Sequence, residues 1–179
     1  MIRFYFKVFF INFILFGVLE LMVYRLGWTA APSPADALYL CAAFGLFMSL
    51  GAGTLHILMI KKYAGGTPVA DPYSPAREAE LSTSMPHEKL FALCRHYVAD
   101  IAGYAITAEN PGKGLITART PWNWKGYGNI FSIDFSERKD GFAKVRIASR
   151  PRTKIVLLDY GDNLMNIMQA KYYLETNAR

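Results

Sequence analysis

Charge is scarce where this chain begins: between Val8 and Ile60 only Glu20, Arg25 and Asp36 carry any. So few ionisable groups exclude a water-soluble surface over that stretch, because soluble folds expose their Asp, Glu, Lys and Arg. Cysteine is equally scarce. Cys41 sits in an apolar run and Cys94 beyond it, which excludes a disulfide framework. Several chemical signatures are missing as well. There is no glycine-rich dinucleotide or phosphate loop and no GxSxG elbow, and His87-Glu88-Lys89-Leu90-Phe91 departs from the HExxH zinc pattern at Phe91. His87, Cys94 and His96 fall on different faces of a helix, which argues against a Cys/His nucleophilic pair. Internal repeats are absent, so solenoid architectures are set aside. No cofactor or metal motif is legible.

What is present is an unusual share of apolar residues, 53% of 179, above the roughly 45–50% of soluble proteins. Phe4 to Leu26 and Ala37 to Ile60 are each long enough to cross a hydrocarbon core that needs about 20 residues. Between them, Gly27 to Asp36 carries two prolines and Trp28, a tight connection at an interface. Thr29-Ala30-Ala31 resembles a signal-peptide cleavage site, but the apolar segment is long for one and Arg25 interrupts it. The reading is a two-helix transmembrane hairpin. Arg3, Lys7, Lys61 and Lys62 outnumber Arg25 at the turn, which places both termini in the cytoplasm.

Within the second span Gly45, Ser49 and Gly53 recur every four residues and form a stripe that lets another helix approach, with the first span near Gly17 as its partner. Three polar residues lie inside the spans. Asn12 and His56 are at similar depth and predict a hydrogen bond between helices, whereas Glu20 lies toward the outer side, either an intramembrane functional carboxylate or a group that reaches the interface with Arg25.

Residues 63–84 are rich in Gly, Pro and Ala and read as a linker. From residue 85 to 179 the pattern is that of a cytoplasmic α+β domain. Ser84 and Pro86 open a helix with Leu90, Leu93, Cys94, Tyr97, Val98 and Ile101 on one face, and Gly103 closes it. Tyr104–Ala108, Leu115–Thr120, Ile130–Ser136 and Phe142–Ser149 read as strands, with a short fifth at Ile155–Leu158. A closing helix carries Leu164, Ile167, Met168 and Leu174. The expected topology is α-β-β-β-β-α, an antiparallel sheet covered by two helices.

Thr120-Pro121-Trp122-Asn123-Trp124-Lys125, Ala148-Ser149-Arg150 and Asp159-x-Gly161-x-Asn163 occur in that order. Over Pro86 to Glu175 the chain resembles a small bacterial domain of unknown function of the 1499 type, departing from it in the longer stretch Pro151 to Leu158. The resemblance implies this α+β fold, often in envelope-associated proteins, hence a bacterial inner membrane for the two spans, and no established reaction.

Three candidate surfaces follow. Trp122, Trp124, Lys125 and Tyr127 form an aromatic turn suited to a partner or to the mouth of an amphiphile pocket. Arg119, Lys144, Arg146 and Arg150 belong to a segment, Lys113 to Lys154, with ten basic residues against three acidic ones, and suggest a basic face toward anionic lipid. Asp159 to Asn163 reads as a helix cap rather than a calcium loop. No strand motif for nucleic acid accompanies the aromatics. The expectation is a non-enzymatic, membrane-anchored adaptor that contacts membrane lipid and a membrane protein, or a second copy of itself. A lipid- or amphiphile-binding domain is the alternative.

Overall fold

The computed structural model describes residues 2–30, 32–69, 71–123, 127–137, 142–153 and 156–178. The chain forms two compact units, Met1–Met59 and Ile60–Arg179.

The first unit holds helix α1 (Ile2–Arg25) and most of helix α2 (Pro34–Ala64). Both are long and apolar enough to cross a membrane. Local chemistry sets their ends. Gly27 takes the left-handed conformation (φ 72°), and the Trp28 N–H returns to the Val23 carbonyl at 3.2 Å, closing α1. Ser33 opens α2: its hydroxyl accepts from the Asp36 N–H at 3.2 Å, and Pro34 follows where a missing N–H is harmless.

The small-residue stripe is where the two helices meet. A Cβ added to Gly45 would stand 3.0 Å from the Phe9 ring and 3.1 Å from its carbonyl oxygen, and one added to Gly53 would stand 3.0 Å from the Tyr5 ring. Ser49 donates its hydroxyl to the Tyr5 carbonyl at 2.7 Å. The expected bond between Asn12 and His56 is not formed. Asn12 donates to the Val8 carbonyl of its own helix at 2.8 Å, and the buried His56 ring stacks on Phe4 with centroids 5.6 Å apart. An i−4 carbonyl is always within reach of an amide on a helix, so Asn12 needs no second helix.

The second unit is α+β, with a five-stranded antiparallel sheet of order β1-β5-β4-β3-β2. The strands are β1 (Arg77–Thr83), β2 (Ala105–Asn110), β3 (Leu115–Arg119), β4 (Asn129–Glu137) and β5 (Ala143–Pro151). Strands β2 to β5 match the expected meander. β1 does not: it lies inside the segment read as a linker and pairs with β5, Arg77 opposite Ser149 and Thr83 opposite Ala143. Of the expected fifth strand, Val156–Leu158 has no regular structure and Ile155 lies outside the described residues. Helix α3 (His87–His96) continues into a π-helical turn (Tyr97–Ile101), which leaves Ile101 56% exposed rather than on the core face. Helix α4 (Asp162–Asn177) closes the fold.

Alternation decides the core. Phe131, Ile133 and Phe135 on β4 and Val145 and Ile147 on β5 face Leu90, Cys94, Val98, Leu164 and Leu174, all buried. Burial raises the Cys94 thiol pKa to about 12. The last turn of α2 also belongs to this unit, where Ile60 and Ala64 join the core cluster. The Tyr63 ring crowds Gly161, whose φ of 78° and lack of a side chain admit it.

Candidate functional site

Where α4 meets the sheet, the interior is polar. Asp159, Asp162, Asn163, Asn166, Ser149, Asn129 and Thr120 are all buried, and buried polar groups are tolerated when they are bonded to one another. Asn163 is the hub. Its side-chain oxygen accepts from the Ser149 hydroxyl at 2.6 Å, and its amide donates to Asn129 Oδ1 at 3.1 Å and Asp159 Oδ2 at 2.9 Å. Ser149 accepts from Asn166 at 3.2 Å, and Asn166 accepts from the Tyr104 hydroxyl at 2.9 Å. Burial, and then the Asp162 carboxylate, push the Tyr104 phenol up to about 12.

Asp159 caps α4 from outside the helix, taking the backbone N–H of Gly161 at 3.3 Å and of Asn163 at 3.0 Å. Asp162 receives amide N–H groups from Asn129 at 2.7 Å and from Asn123 at 3.2 Å on each oxygen. Both oxygens of both carboxylates are therefore engaged by donors of the protein itself. The lattice ties three separate pieces together: the β3–β4 connection, β5 and the start of α4. Thr120, Asn123, Ser149, Asp159, Gly161 and Asn163, which stood apart in the sequence, converge here. Sequence reasoning gave Asp159–Asn163 only a capping role, and missed that the same residues reach across the sheet.

This lattice carries the aromatic turn on its rim. Thr120 accepts from the Asn129 N–H at 2.8 Å, and Gly128 (φ 79°) leaves no room for a side chain, since a Cβ would stand 2.6 Å from the Thr120 carbonyl oxygen. Asn123 ties the turn to α4 through Asp162. Trp122 is 72% and Tyr127 73% exposed. Trp124 and Lys125 lie outside the described residues. The space beside Tyr127 measures about 20 Å³, scarcely one water.

The other candidates are dispersed. Lys144 and Arg146 do lie on the open face of the sheet, but β1 brings acids beside them: Lys144 meets Glu80 at 2.7 Å and Arg146 meets Glu78 at 2.8 Å. The basic face is thus partly neutralised by a strand that sequence reading had placed off the sheet. Arg119 and Arg150 are exposed on their strands. The His87 ring sits on Phe135 and its Nε2 lies 2.7 Å from the Pro111 carbonyl. Glu20, for which Arg25 was the candidate partner, lies 3.8 Å from the Cys41 thiol. Among the described residues no group of three or more His, Cys, Asp or Glu is placed to hold a metal.

A cavity of about 510 Å³ opens between β1, α4 and the segment that precedes β1, with Arg77, Val69 and Met168 in its wall.

No family model matches the chain, and no curated protein matches it. Among solved structures it is similar to the crystal structure of Ara h 8.0201, at 14% identity over 57% of this chain and 96% of that one, with a TM-score of 0.35. A likeness at that level carries no argument about fold or activity.

Proposed function

We propose that this is a non-enzymatic membrane protein whose two apolar helices span the bacterial inner membrane and whose α+β domain binds a membrane-proximal protein on the cytoplasmic side. The observation that carries the reading is the aromatic turn: Trp122 and Tyr127 are nearly three-quarters exposed on a connection whose base is fixed by buried bonds. Large rings held out rigidly lose little conformational entropy on binding, and such residues dominate interface energies. The membrane assignment draws on Phe6, Leu19, Leu46, Phe47 and their neighbours, which present apolar side chains outward along both helices.

Cross-linking in cells, followed by purification in mild detergent, tests this. A stoichiometric companion is expected with the native chain and should be lost when Trp122 and Tyr127 are both replaced by alanine. A companion retained unchanged by that double variant would contradict it, as would a native chain that purifies alone.

A second reading is a domain that binds a lipid or small amphiphile. It draws on the cavity beside α4 rather than on the aromatic turn.

A further inference from the structure

β1 alternates, with Glu78, Glu80 and Ser82 outward and Ala79 and Leu81 inward. At its start the inward position is taken by Arg77, only 7% exposed. Burying a guanidinium is unfavourable unless its N–H groups are used. The carbonyls of Asp71 and Pro72 accept from its two terminal nitrogens. Its Nε has no acceptor among the described residues. Desolvation lowers the pKa of this arginine, opposed by the nearby carboxylates of Asp159 and Asp71.

Arg77 lines the cavity of about 510 Å³, and Ala64, Val69, Leu164, Ile167 and Met168 supply apolar wall. The other charged groups there have partners. Glu78 is held by Arg146 and Lys171 by Glu175, and Asp71 accepts from the Tyr73 N–H in its own turn. An apolar chamber with an incompletely satisfied buried cation is complementary to a molecule with one alkyl chain and one anionic group.

We infer that this cavity holds a single-chain carboxylate amphiphile of the fatty-acid class, its chain against Val69, Leu164, Ile167 and Met168 and its carboxylate on Arg77. The volume lies within the roughly 300–1,000 Å³ of pockets that enclose small molecules, and a two-chained phospholipid exceeds it. This inference rests on the second reading above and adds the head group and the residue that selects it.

The test uses the full chain in lipid nanodiscs with dodecanoic acid that carries a terminal diazirine. After photolysis, label is expected on peptides that contain Val69 and Ile167. Dodecanoate should displace it roughly tenfold better than dodecanol, the ratio one charge-assisted hydrogen bond provides. Arg77→Met should make the two competitors equal. Met168→Trp, which fills the cavity from its exposed rim, should abolish labelling with the far-ultraviolet circular dichroism preserved. If Arg77→Met does not fold, the competitor ratio of the native chain together with Met168→Trp decides the matter. Equal displacement by acid and alcohol in the native chain would overturn the carboxylate assignment and leave the amphiphile reading standing. Label confined to residues 2–59 would overturn both.

Discussion

The hairpin and the domain solve opposite problems with the same kind of contact. In the hairpin, apolar side chains face outward and the polar groups turn inward: Ser49 to a backbone carbonyl of the other helix, Asn12 to its own helix, Glu20 to Cys41. In the domain the apolar residues are sealed between sheet and helices, yet one end of that interior is a lattice of amides, hydroxyls and carboxylates centred on Asn163. Ser49 and Asn12 both end on backbone carbonyls, one across the two helices and one within its own. The domain can use long-range polar bonds because each one also specifies which segments meet.

That contrast can be broken most forcefully at its hub. Asn163→Ala deletes the bonds to Ser149, Asn129 and Asp159 and leaves buried groups unsatisfied, each worth about 1–3 kcal/mol. We expect a destabilisation of about 3 kcal/mol or more, read as a lower melting temperature of the domain in mild detergent. The contact between α1 and α2, followed by disulfide trapping of a Tyr5→Cys/Ser49→Cys pair, should be unchanged.

The converse variant is Gly45→Leu. Its side chain would meet Phe9, whose ring and carbonyl leave only about 3 Å for a Cβ. Overpacking of this kind costs about 1–3 kcal/mol and should abolish trapping of the same cysteine pair, with the melting temperature of the domain intact. A fall in both signals would mean that the two units do not behave independently.

A smaller effect sharpens the picture of the lattice. Tyr104 is protonated and donates to Asn166, and its pKa in the fold, about 12, lies above the ordinary value of 10.0. The unfolded chain therefore loses this proton first. The contribution of the phenol to stability is fully present below about pH 10 and is lost as pH rises through about 12. Denaturation midpoints measured across that window should fall, and Tyr104→Phe should flatten part of the slope. A profile identical in the native chain and the variant would remove Tyr104 from the account.

Much of this arrangement was legible in the residues. The meander β2 to β5 follows from alternation, as in Phe131, Ile133 and Phe135 against Ser132 and Asp134. The stripe Gly45, Ser49 and Gly53 showed its spacing at once. β1 was harder. Arg77 to Thr83 also alternates, but Ala79 and Leu81 give it a weak apolar face amid Gly and Pro, and an edge strand needs only one partner to form. Missing it hid Glu78 and Glu80 from the basic face and Arg77 from the cavity. The lattice was hidden for another reason: Asn129, Ser149 and Asn163 each look like surface residues until the sheet register and the start of α4 bring them together.

The proposed function requires residues 2–59 to be solvated by lipid and residues 60–179 to fold in the cytoplasm. Paired fusions after Arg179, one to alkaline phosphatase and one to green fluorescent protein, test it together with an alkaline wash of the membranes. The account predicts a fluorescent cell, an inactive phosphatase and a chain that stays with the membrane pellet. An active phosphatase, or a chain released by the wash, would contradict it.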